Sequence, residues 1–163
     1  MKKLFFIIAI SFALPNCFFA QTKANTETIF AKSYDYVNDF EKILSPKQIQ
    51  DLNTTLKAGE GKTDYKIMII TTASIAPYND ISEYSLALDK HLVTNLNINT
   101  SILIVISKKM RQIQVQGVNK LRNKITDKEI ETIVTTFVVP ELKKGDYNKG
   151  LENGVSEIIK KLG

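Results

Sequence analysis

Two carboxylates and three cations are the groups in this chain whose placement could do chemistry. Asp39 stands in the run Val37-Asn38-Asp39-Phe40, just ahead of a helix signal at Ser45, and Asp127 stands in Ile125-Thr126-Asp127. Two acids at the ends of elements could converge at one edge of a sheet, where they would hold a cation or polarise a phosphate. Each also has an ordinary use: an Asp before a helix hydrogen-bonds a turn, and an acid in a first turn complements the helix dipole. Lys120, Arg122 and Lys124 gather positive charge in one short stretch. Tyr147 falls at helical spacing with Leu151 and reads as a core residue.

Much other chemistry is excluded. His91 is the only histidine and lies in a predicted helix interior, so it reads as a packing residue. The only cysteine, Cys17, falls within the N-terminal segment discussed next. Zinc sites, cysteine nucleophiles and disulfides therefore have no residues to build them in the rest of the chain. No Gly-x-Gly-x-x-Gly or Gly-x-Ser-x-Gly occurs, nor a complete phosphate-binding Gly-x-x-x-x-Gly-Lys-Thr motif. The Asp-x-Asp pair of an aspartyl-phosphate phosphatase is missing, as is the carboxylate spacing of an EF-hand.

The elements that must position these groups begin after an export signal. Lys2 and Lys3 precede the apolar run Leu4 to Leu14, and Pro15-Asn16 breaks it; this reads as a secretory signal peptide over residues 1–20, too short to span a bilayer. Cleavage after Ala20 is one outcome. Lipidation at Cys17, in a loose lipobox Leu14-Pro15-Asn16-Cys17, is the alternative. The expected location is extracytoplasmic, periplasmic or secreted, or lipid-anchored through Cys17. Residues 21–33 are mostly small and polar and read as a leader or tether, leaving 34–163 as a single domain. Two of the 22 basic residues lie in the signal against none of the 17 acidic ones, so the excess falls from +5 to +3. The lysines are scattered without interleaved aromatics, which gives no reason to expect nucleic acid. No apolar run in the mature chain is long enough for a transmembrane helix.

Within the domain, helix and strand signals alternate. Ser45, Pro46 and Gln48 form a capping box with Leu44 placed to staple onto Ile49; the stripe Ile49, Leu52, Leu56 follows, with Gly59 and Gly61 expected to end the helix. Lys66 to Thr72 and Ser101 to Ser107 are short apolar, β-branched runs expected as strands covered on both faces. Asp80 opens a second helix running to about Thr94. Lys108-Lys109-Met110 connects tightly to residues 111–117, whose alternation of Ile113 and Val115 with glutamines marks a half-exposed antiparallel strand. Thr126 caps a third helix, with Ile130, Ile133, Val134, Phe137 and Val138 expected inside and Pro140 interrupting it. A last helix starts near Asp146, its Gly150 and Gly154 suited to close packing. This alternation predicts an α/β class domain: a three-layer α/β/α sandwich with a mixed, mostly parallel sheet and one antiparallel hairpin strand.

The same residues carry a resemblance over nearly the whole mature chain. Val37-Asn38-Asp39-Phe40 with Ile43-Leu44-Ser45-Pro46, the strand KIMII, the ILIVIS strand with its basic hairpin, Ile125-Thr126-Asp127, and Pro140-Glu141-Leu142 leading to Gly145-Asp146-Tyr147 resemble the TPM domain family. That family includes plant thylakoid-lumen proteins linked to photosystem II repair and bacterial secreted or membrane-tethered domains. The resemblance implies an α/β/α sandwich, and it associates the chain with acid phosphatase activity, divalent-cation binding, or assembly and repair of membrane complexes. It maps recurring acidic positions onto Asp39 and Asp127, the metal candidates.

The chain departs from the family in the loop after the hairpin, where residues 117–124 read GVNKLRNK and Arg122 replaces the usual acid. With Lys120 and Lys124 beside it, calcium or magnesium binding is expected to be weak or absent, and an anion or acidic partner fits better. No other cofactor is expected. The resulting expectation is an exported interaction domain that helps assemble or maintain a membrane-associated complex through a protein partner at the membrane surface. A weak metal-assisted acid phosphatase is the alternative, and enzymatic activity is an open question leaning to no.

Overall fold

The two apolar runs form the centre of a four-stranded sheet. The structure, a computed structural model, describes residues 30–31 and 33–163, with the side chains of Asn119 and Lys120 left aside. The signal segment, Cys17 and most of the leader lie outside the described residues. In chain order the elements are β1 (Val37–Asp39), α1 (Pro46–Thr63), β2 (Ile67–Thr71), α2 (Ile81–Leu96), β3 (Ile102–Ser107), β4 (Gln112–Gln116), a 3-10 turn (Val118–Leu121), α3 (Asp127–Ile133), a π-helical stretch (Val134–Val138), α4 (Val139–Lys143) and α5 (Tyr147–Leu162). The strands lie in the order β1-β2-β3-β4, the first three parallel and β4 antiparallel to β3.

Every residue of β2 and β3 is buried, because helices cover both faces. Ile67, Ile69, Ile102, Ile104 and Ile106 pack on one side against Leu52 and Leu56 of α1 and Leu151, Val155 and Ile158 of α5. Met68, Ile70, Leu103 and Val105 pack on the other against Ile81, Tyr84, Leu88 and Leu92 of α2. The three layers expected from the sequence are present. Phe30, within the stretch read as leader, is buried in this second cluster, its ring 5.1 Å from that of His91.

Both parallel connections step the same way across the sheet, yet α1 covers one face and α2 the other. Handedness reverses with the face, so one of the two crossovers is left-handed, against the strong right-handed preference. Nothing in the sequence signals this, since both central strands are apolar on both faces.

Local signals set most boundaries. Ser45 and Thr126 form full capping boxes with Gln48 and Glu129. Asp80 accepts from Glu83 N, but the Glu83 carboxylate turns back to Asn79 instead of completing a box. Two expectations need correcting. Gly59 and Gly61 do not end α1, which runs to Thr63 and closes on Asp64 in the left-handed region at φ 62. Gly59 serves packing: a Cβ there would lie 2.5 Å from Ile159 Cδ1 of α5. Phe137, expected inside, is 38% exposed. The π-helical stretch ahead of Pro140 carries five residues where regular periodicity was assumed, and it turns the following side chains off the expected face. Gly154 does permit close approach, its absent Cβ falling 2.5 Å from Val138 Cγ2.

Candidate functional site

Val37-Asn38-Asp39 is a structural knot at the edge of the sheet. Val37 enters the core. The Asn38 side chain grips the backbone of Asp35 twice, accepting from its N–H at 2.9 Å and donating to its carbonyl at 2.6 Å. Asp39 ends β1, and its carboxylate accepts from Ile43 N at 3.1 Å, Leu44 N at 2.8 Å and Thr71 Oγ1 at 2.5 Å. The Thr71 hydroxyl in turn accepts from Glu41 N at 3.0 Å. This network folds the chain into the turn that presents Ser45 to α1, and the ordinary reading of Asp39 as a turn holder accounts for every bond it makes.

Asp127 is at the far end. Asp39 closes β1 in register with Thr71, itself in register with Ile106, so these residues share the C-terminal end of the parallel strands. The hairpin then returns the chain, and Gln116 ends beside Leu103 at the opposite end, where Gly117 (φ +95) is pressed against the Ser101 carbonyl. Glu129 in the first turn of α3 pairs with Lys161 at the end of α5, and Gly163 lies beside Thr63 just before β2 begins. A five-residue strand spans roughly 17 Å, so the expected convergence of Asp39 and Asp127 does not occur. Asp127 stands at the first position of α3, where an acid favours the helix dipole. A shared calcium or magnesium ion does not fit these two residues. Among the described residues no cluster of three or more His, Cys, Asp or Glu could hold a metal.

The loop carrying Lys120, Arg122 and Lys124 is also at this far end. Val118, Leu121 and Ile125 pin it into the core, leaving Arg122 and Lys124 on the surface. Gly61-Lys62-Thr63 falls in the last turn of α1, the wrong end of a helix for a phosphate.

The positive charge that faces a cavity is elsewhere. Between the β3–β4 turn and α4 opens a cleft of about 860 Å³. Its apolar lining includes Ile106, Ile113, Val139 and Leu142; Lys108, Lys109, Arg111, Lys143 and Lys144 bring five cations to it, and among the described residues no carboxylate lines it. Glu41 fixes the turn from behind, accepting from Lys108 N and Lys109 N at 2.8 Å each. Arg111 completes the turn at φ 55. Lys108 lies 5.5 Å from the centre of the Tyr147 ring, and Lys144 pairs with Glu141 at 2.9 Å. Among the described residues Lys109, Arg111 and Lys143 have no ion-pair partner. Tyr147, read as core, is half-buried and walls this cleft. Ser107 Oγ accepts from Met110 N at 3.2 Å and serves the turn. The arrangement can bind an anion; it offers no nucleophile with an adjacent base. The doublets Lys108-Lys109 and Lys143-Lys144 were the available sequence signal, but only the fold brings them together.

A three-layer α/β/α domain with a basic cleft at one end of a mixed sheet is thus the class of protein that fold and site define. The family model for the TPM domain matches residues 37–161, and the chain belongs to that family. Solved structures agree on the fold. The N-terminal domain of a P. gingivalis protein shares 24% identity over 81% of this chain and 84% of that one, with a TM-score of 0.68. The N-terminal domain of the cg2496 protein from Corynebacterium glutamicum shares 15% over 82% and 86%, at 0.61. The BA42 protein from the psychrophilic bacterium Bizionia argentinensis shares 15% over 76% and 83%, at 0.63. No curated relative matches the chain.

Proposed function

We propose that this chain is an exported interaction domain that recognises an acidic protein partner at a membrane surface and helps assemble or maintain a membrane-associated complex. The observation that carries this reading is the division of labour at one end of the sheet. The carboxylates of Asp39 and Glu41 are bonded to backbone donors, while the cations of the hairpin and of α4 face an open cleft. Among the described residues Lys109, Arg111 and Lys143 are held together without ion-pair partners, which raises the local potential, and an anionic partner relieves it. Among the described residues no helix is long and apolar enough to cross a membrane.

A photo-crosslinker at Gln112, on the rim of the cleft, is expected to trap a protein from the host membrane fraction, whereas one at Gln50 on α1 does not. Lys109→Glu with Arg111→Glu should abolish the adduct. Equal adducts from both positions, or an adduct indifferent to the charge reversal, would refute the reading. Export is tested by mass spectrometry of the native N-terminus: a free residue 21 or a lipid on Cys17 supports it, and an intact Met1 overturns it.

The cleft would also accept a phosphate, which is what favours the second reading, a weak metal-assisted acid phosphatase. Binding ground state and transition state alike gives no rate at saturation. Turnover of an aryl phosphate above about 1 s⁻¹, in the ordinary enzyme range, that is lost in Arg111→Gln would establish the phosphatase instead.

A further inference from the structure

The cleft continues along an open sheet edge. The Ile106 carbonyl accepts from Thr72 N, so the backbone groups of Ile106 face β2. Those of Leu103, Val105 and Ser107 then face β4, in register with Gln116, Gln114 and Gln112. The intervening Ile113 and Val115 turn their N–H and C=O groups outward, where among the described residues no strand follows β4. Among the described residues only the Val115 carbonyl has a partner, the side-chain amide of Gln114 at 3.3 Å. The side chains of Ile113 and Val115 point the other way from the glutamines, toward the α4 layer. There they pack with Val134 and Val138, and Ile113 also lines the basic cleft.

Natural sheets protect such edges with lysines, prolines or bulges. Gln112-Ile113-Gln114-Val115-Gln116 has none of these. From the unpaired edge and the cations at one end of it, we propose that β4 receives an extended acidic segment of a partner protein as a fifth strand. Its backbone would pair with Ile113 and Val115, and its side chains lying beside those of Ile113 and Val115 would be apolar. Carboxylates at the hairpin end would meet Lys109, Arg111 and Lys143. The edge favours a peptide over an anionic amphiphile, since an acyl chain leaves these backbone groups unpaired. Charge favours an acidic partner over a second copy of this chain, which would bring no carboxylates to the cleft.

This mode rests on the interaction-domain reading, and its test can fail separately. The probe is a fluorescent peptide of alternating threonine and valine with two aspartates at each end, so that either strand direction places acid at the hairpin. Saturable binding to the full domain is expected, with slowed amide exchange at Ile113 and Val115. N-methylation of alternate backbone nitrogens on the edge-facing side should weaken binding roughly tenfold or more by removing the pairing donors. Lys109→Gln with Arg111→Gln should weaken it comparably. No binding, equal binding of the N-methylated peptide, or unchanged exchange at both amides overturns strand addition. So does a preference for anionic vesicles over peptide, or self-association that excludes the peptide. If the membrane-fraction adduct at Gln112 survives such a failure, the acidic partner stands and only the mode is wrong.

Discussion

The two edges of one sheet are treated in opposite ways. At β1 two of the four backbone groups that face away from β2 are tied to the rest of the fold: Val37 N donates to the Asn53 side chain of α1 at 2.8 Å, and the Asp39 carbonyl accepts from Lys42 N at 3.3 Å. Tyr36 seals the approach, its hydroxyl donating to Glu60 at 2.5 Å with Lys66 Nζ 4.2 Å from its ring centre. The bond to Glu60 pushes the Tyr36 phenol up to about 12. At β4, Ile113 and the Val115 amide are left open beside a cleft without carboxylates. An edge three residues long and sewn to a helix is closed to other chains; an edge five residues long with uncharged glutamines is available.

The largest effect is expected from cutting the knot at the closed edge. Asp39→Ala removes the acceptor of two backbone donors and one hydroxyl, and should lower unfolding stability by about 3 kcal/mol, since bonds to a charged group are the stronger class and their donors are left unpaired. Urea denaturation measures it. A loss below about 1 kcal/mol, the typical worth of one ordinary bond, would show that the knot is not what holds β1. It also follows that an Asp39 variant is a poor probe of catalysis, whereas the cations at the open end can be changed without removing any bond of the Asp39 network.

Next in size is an inward charge at the open edge. Val115→Lys replaces a half-buried valine that packs with Ile133, Val134 and Ile158; with its ammonium reaching back to water at the edge, it is expected to cost about 1–2 kcal/mol of lost apolar burial. In exchange it installs the protection that β4 lacks, so peptide addition should disappear while the domain stays folded. Binding that survives would place the acidic partner in the cleft alone.

Asn53→Ala is smaller and sharpens the contrast directly. Losing the cap on Val37 N is expected to cost about 1 kcal/mol, and the Val37 amide should then exchange as fast as those of Ile113 and Val115. A Val37 amide that already exchanges at their rate in the parent would show that the two edges do not differ.

How much of this was legible in the sequence depended on range. Ser45, Thr126 and Asp146 announce their helices because capping is settled within four residues of chain. Ile113 and Val115 announce a half-exposed strand for the same reason. The separation of Asp39 from Asp127 was implicit once the hairpin was recognised, because a hairpin returns the chain to the end where its first strand began. The cleft was not legible: residues 108–111 meet 143–147 only through the packing of α5 on β3, and the π-helical stretch that sets the facing of α4 has no local signature beyond Pro140. Nor could Gly59 be told from a helix stop without knowing that Ile159 would lie against it.

The smallest effect concerns the helices behind the open edge and depends on pH. Lys161, with the Thr126 backbone and hydroxyl, holds the Glu129 carboxyl down to about 2, below its ordinary value of 4.5. A group whose folded value is depressed contributes stability that is fully present above the ordinary value and is lost as pH falls through the folded one. The pin between α3 and α5 should therefore weaken between about pH 4.5 and about pH 2. Both helices lie on the sheet face to which Ile113 and Val115 turn, so amides along α3 should gain exchange over that range before those of β1 and the start of α1. Glu129 is exposed, and salt screens such a pair, so the shift should shrink at high ionic strength. Glu129→Gln should flatten this part of the acid limb while leaving stability above pH 5 slightly lower. An acid limb unchanged by the substitution would mean that the pin contributes nothing and that α3 is held by the burial of Ile130 and Ile133 alone.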